Sequence, residues 1–185
     1  MPRGSGFRPG TPPGPRPAWY RRLPASLQRV AAASDRVPSV PLRAGPALRG
    51  AVAALPDVLA TGRERDVQAL AQRIADGICA ALGVPGVRVR VALRRPPLHG
   101  GELQGLYTPG NARGRDVITV WMLTAKRGQV VAYRTFLRTL LHELCHHLDY
   151  TLLALRDSLH TQGFYQRESS LFHALGAGDV DGSGR

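Results

Sequence analysis

His142, Glu143 and His146 form the pattern HExxH within an otherwise apolar run from Thr139 to Tyr150. On an α-helix, residues four apart share a face, so the two histidines aim two imidazoles at one metal ion. Glu143, turned about 100° from His142, can then take a proton from an attacking water. The alternative is a buried helix whose histidines bond only to backbone. In that case two rings and a carboxylate would each need a partner inside an apolar environment.

A helix must carry this motif, and the spacing predicts one from about Gln129 or Val130 to Asp149 or Tyr150. Val131, Phe136, Leu137, Leu140, Leu141, Leu144 and Leu148 make it apolar over most of its circumference, which implies a central, buried position. Arg134 and Arg138 stand two turns and one turn before His142, either to bind acidic groups of a substrate or to form a solvated, ion-paired edge. Asp149, three residues after His146, can accept a hydrogen bond from a ligand imidazole and fix its tautomer. His147 is turned away from the ligand face and reads as structural, and Cys145 as a small buried apolar residue.

Upstream, Thr61 and Glu64 have the spacing of a capping box that opens a helix. Its stripe of Val67, Leu70, Ala71, Ile74, Ala75, Ile78 and Leu82 ends at Gly83-Val84-Pro85-Gly86. Val87 to Val91 alternates valine with arginine, as a half-buried strand does. Residues 102–107 form a short strand before the turn at Thr108-Pro109-Gly110-Asn111, and Asp116 to Leu123 is the strongest strand of the chain. His99 lies in the intervening loop as a surface residue.

The net charge of +12 is uneven. Residues 1–50 carry nine Arg and one acid, a net +8, against +4 for the remainder. With its Pro and Gly content, this segment reads as a disordered basic arm, broken by a short helix near Leu23 to Ala33 and held extended by Pro38, Pro41 and Pro46. Such an arm attracts nucleic acid or acidic partners. The two cysteines, Cys79 and Cys145, make no disulfide framework or CxxC pair, and no signal-peptide core or membrane span is apparent. A cytoplasmic protein is expected. Neither GxSxG nor a P-loop occurs, so nothing points to a serine hydrolase or a nucleotide hydrolase of those kinds.

A catalytic zinc takes three protein ligands and keeps one position for water, so a third ligand is required. Asp149 and Leu152 stand where the metzincin pattern HExxHxxGxxH needs Gly and His. Glu168, 22 residues past His146, and His160, 14 residues past it, are the candidates.

HELCH followed by His160-x-x-x-Phe164 resembles the SprT-like zinc metallopeptidases, which include the Spartan DNA–protein crosslink proteases, over about residues 117–175. That resemblance implies an α+β, zincin-like domain in which a small sheet packs on the HExxH active-site helix. It implies Zn2+ held by His142, His146 and His160, with Glu143 as general base, a protein or peptide as substrate, and a link to DNA. Many relatives carry a cysteine zinc ribbon after the core, and residues 176–185 contain no cysteine. The expected organisation is a basic arm over 1–50, the zincin-like domain over 51–175 and a flexible tail over 176–185. The expected activity is peptide-bond hydrolysis. The alternative is a non-catalytic zinc-stabilised module that binds nucleic acid or an acidic partner through the arm. Tyr165, Arg167 and Glu168 are further residues able to stabilise an oxyanion, anchor substrate or form an ion pair.

Overall fold

A computed structural model of the chain describes residues 17–94, 104–110, 114–124 and 127–177. The expectations for residues 1–16, His99, Glu102, Asn111 and the tail from 178 onward fall outside the described residues. Those described form a mixed α+β structure. The elements are α1 (Ala18–Arg21), α2 (Ala25–Asp35), α3 (Pro46–Ala53), α4 (Leu55–Ala60), α5 (Glu64–Leu82), β1 (Arg88–Ala92), β2 (Gly105–Thr108), β3 (Val117–Trp121), α6 (Tyr133–Thr151) and α7 (Gln162–Ala174). No helix among them is long and apolar enough to cross a membrane.

The sheet has the order β1-β3-β2, with β1 parallel and β2 antiparallel to β3. Val89, Val91, Ile118 and Val120 are buried, while Arg88 and Arg90 point to solvent, as the alternation requires. Helix α5 packs its apolar stripe on β1 and ends at Gly83 in the left-handed conformation, φ 69°. Its Gln68 and Gln72 side chains accept from the backbone N–H groups of Val91 and Val89 at 3.1 and 2.7 Å, and Gln72 donates to the Val87 carbonyl at 2.9 Å. These bonds cover the outer edge of β1, and β2, the other outer strand among the described residues, packs against α6.

Three expectations need correction. The capping box does not form. Arg63 is the N-cap, and Thr61 instead closes α4 as its C-cap: its hydroxyl donates to the Val58 carbonyl at 2.7 Å and accepts from the Arg63 N–H at 3.2 Å. Helix α6 starts at Tyr133 rather than Gln129 or Val130. Val130 is drawn into an antiparallel bridge with Leu123, and the Val131 N–H donates to the Met122 carbonyl.

The larger correction concerns the arm. The expected short helix is present as α2, with an extended stretch after it, but residues 18–50 are folded rather than a disordered arm, and α3 runs through the expected boundary at residue 50. Tyr20, Ala31 and Ser34 are buried, and Val40, Leu42 and Ala44 alternate inward along the extended stretch that the prolines impose. Polar composition hid this, because the arginines of the segment sit on the outward positions. Its partners also lie far away in sequence, in α7. The Gly163 N–H donates to Asp35 Oδ1 at 2.8 Å. A Cβ on Gly163 would collide with Ser34 and Asp35 backbone, so only glycine permits the approach.

Candidate metal centre

Helix α6 buries Phe136, Leu137, Leu140, Leu141, Leu144 and Leu148, which fixes its rotation. His142 and His146 therefore face the opposite side, one turn apart. After α6 the chain doubles back through Ala154, a non-glycine residue at φ 50°, and through a bond from the Leu155 N–H to the Asp149 carbonyl. A tight turn closed by the Thr161 N–H on the Leu159 carbonyl, 2.7 Å, then presents His160. The Thr161 hydroxyl caps α7 by accepting from the Phe164 N–H.

The three histidines converge. His160 Nε2 lies 2.9 Å from His142 Nε2 and 3.1 Å from His146 Nε2. Phe164, fully buried one turn into α7, floors the cluster with its ring centroid 4.8 to 5.1 Å from all three imidazoles. Glu168 does not join the cluster; its Oε2 accepts from His142 Nδ1 at 3.2 Å, behind the ring.

His146 Nδ1 meets Ser158 Oγ at 2.7 Å, and Ser158 spends its own proton on Asp149 Oδ2, also at 2.7 Å. His146 must therefore be the donor in the first bond. Asp149 thus acts on the ligand imidazole through Ser158 rather than directly. Its other oxygen receives Arg167 Nη2 at 2.7 Å, and Arg167 also donates to the Ser34 and Val37 carbonyls at 2.7 and 2.6 Å.

These outer partners test whether a metal fits. With the protons of His142 and His146 held on Nδ1, each turns an Nε2 lone pair toward His160 Nε2, so either a proton on that nitrogen or a shared cation must bridge them. A tetrahedral ion with Zn–N bonds of about 2.0–2.1 Å would separate such nitrogens by roughly 3.3 Å. Two of the three separations, 2.9 and 3.1 Å, are near that spacing, all three lie within 4.8 Å, and the donor set suits zinc. Burial, reinforced by the neighbouring His142 and His160, pushes His146 down to about 3, so its ring stays neutral near pH 7. Burial, with His142 beside it, lowers His160 as well.

Glu143 is 6 % exposed and lies against Gly105 of β2, where a Cβ would stand 2.5 Å from its Oε1. Burial raises its carboxyl to about 7, partly offset by His142 and by the Tyr107 backbone N–H. Beside it opens a cavity of about 640 Å³ lined by β2, α6, His160 and Glu168. The Tyr107 ring stacks beside His146 and Tyr150, and its hydroxyl donates to Asp116 Oδ2 at 2.7 Å. The same carboxylate oxygen meets His147 Nδ1 at 2.8 Å, while His147 Nε2 faces the Pro85 carbonyl. His147 is thus a buried tie between α6, the start of β3 and the segment before β1.

Of the remaining candidates, Arg138 lines the cavity, and Arg134 stacks over Phe172 at 5.4 Å. Tyr165 is half-exposed with its ring 5.9 Å from that of His160, and His173 packs on Phe172. Ser158 and Gly105 were not singled out from sequence. Nothing in the sequence marks Ser158; a glycine inside a strand does signal a close approach. No protein-family model, curated protein or solved structure matches the chain.

Proposed function

We propose that the protein is a zinc metallopeptidase with a zincin-like domain of the SprT-like kind. The observation that carries this reading is the grouping of three histidine ring nitrogens within 4.8 Å of one another, beside a buried carboxylate at the wall of an open cavity. His142, His146 and His160 would hold the ion, with Glu168 and Ser158 fixing two of the tautomers. Zinc there would supply a Lewis acid that acidifies water and polarises a carbonyl. Glu143 takes the proton of the attacking water on its carboxylate and delivers it to the leaving amine. The Tyr107 N–H and the bare Cα of Gly105 hold that carboxylate in place. Among the described residues β2 is an outer strand of the sheet beside the cavity, and such a strand can offer backbone hydrogen bonds to an extended chain, which favours a peptide substrate.

A non-catalytic zinc module binding nucleic acid or an acidic partner would need no room beside its histidines. The cavity against them favours the hydrolytic reading. Metal analysis of the purified protein, paired with cleavage of an unfolded protein with and without DNA, tests the choice. Bound zinc with no chelator-sensitive cleavage in either condition would sink the peptidase reading.

Two further outcomes are expected. His160→Ala weakens zinc binding far more than Glu168→Gln, which removes only an outer partner and costs about 10- to 100-fold in affinity. Competition with a chromogenic chelator measures both, and the reverse ranking would make Glu168 the third ligand. Gly105→Ala places a methyl group against Glu143, so kcat falls by about 100-fold at unchanged zinc content. Wild-type turnover in that variant would show that Glu143 needs no such seat.

A further inference from the structure

Resting on the peptidase reading, we propose that Arg138 makes the site selective for substrates that carry a carboxylate close to the scissile bond. Arg138 lies on α6 one turn before His142, about 6 Å along the helix axis, and lines the same cavity with Thr135 and Thr139. Among the described residues of that lining it is the one arginine or lysine. Its guanidinium is packed over Phe172, 4.2 Å from the ring centroid, a cation–π contact that favours this placement.

Glu168 uses little of that guanidinium. One contact, Nη1 to Oε1 at 3.4 Å, joins them, and the other oxygen of Glu168 is committed to His142. The Arg138 side chain is 42 % exposed, whereas that of Glu168 is 12 % exposed. A guanidinium has five N–H donors in a planar fork matched to carboxylate geometry. The donors not facing Glu168 therefore stand at the cavity wall, within one helical turn of the metal ligands. An acidic side chain or a C-terminal carboxylate supplies the same chemistry.

Three hydroxamates on a succinyl spacer, ending in alanine amide, alanine free acid or aspartate amide, distinguish these sources. Each anchors on the metal of the zinc-loaded protein, and calorimetry reads its affinity without turnover. At least one of the acids is expected to bind about tenfold more tightly than the neutral amide, and which one does so identifies the carboxylate. In Arg138→Gln the gap should close, and in Arg138→Lys, which keeps the charge but loses the fork, part of it should remain. Equal affinity of all three probes for the unaltered protein would overturn the selectivity while leaving the metal centre standing. An equal loss for all three in Arg138→Gln would also overturn it, because Arg138 would then act by holding Glu168 and His142. If no hydroxamate binds, the peptidase reading falls and the selectivity with it.

Discussion

Glu143→Gln should keep zinc at full occupancy and lower kcat for peptide hydrolysis by about 10²- to 10⁴-fold, the range a positioned general base supplies. The amide keeps the size of the side chain and its seat against Gly105, and it can still accept from the Tyr107 N–H. What it cannot do is accept the proton of water. The three ligand imidazoles take their orientation from elsewhere, namely Glu168, Ser158 and the Phe164 ring. Zinc content and kcat should therefore separate cleanly. Measuring both on one preparation decides the matter, and turnover that survives the substitution would remove Glu143 from the role of base.

Arg167→Met is expected to destabilise the fold by about 3–5 kcal/mol, because it strands a buried carboxylate. Arg167 and Asp149 are both fully buried, and the guanidinium also satisfies the Ser34 and Val37 carbonyls. At about 2–4 °C per kcal/mol for a chain of this size, the melting temperature should drop by roughly 10 °C. Zinc affinity should fall too, since Asp149 orients Ser158 and Ser158 orients His146. Adding Asp149→Leu tests the two effects separately. The stranded charge disappears, so stability recovers in part, the Ser34 and Val37 carbonyls still lacking their donor, but the relay to His146 does not return, so zinc affinity stays low. Full recovery of zinc affinity in the double variant would show that the relay has no bearing on the metal.

The parts of this structure that sequence reveals are those encoded by local periodicity. The four-residue spacing of His142 and His146, the alternation of Val87 to Val91 and the stripe on α5 each depend on neighbours a few residues away. Features that depend on distant partners were not legible. The segment from 18 to 50 looks like a solvated arm because its arginines dominate the composition, and Arg167, which receives it, lies over a hundred residues away. Ser158 has no local mark of any kind; it matters because the chain doubles back at Ala154 to set it between His146 and Asp149. The capping box fails for a local reason: Thr61 is the C-cap of α4, and its hydroxyl oxygen accepts from the Arg63 N–H. For the third ligand, sequence left His160 and Glu168 open, and geometry assigns them different places, one in the cluster and one behind it.

The contact between Asp35 and Gly163 bears on when the site comes into being. Closing a loop of more than a hundred residues costs entropy that the local helices do not face, and contacts of high sequence separation form late in folding. The bonds that orient His146, through Ser158 and Asp149, span only 12 and 9 residues and need no such closure. What lies beyond it is the docking of Arg167 on the Ser34 and Val37 carbonyls, 133 and 130 residues away. A chain still on its way to the native state can thus set its second histidine before the buried Arg167 behind Asp149 finds its last partners.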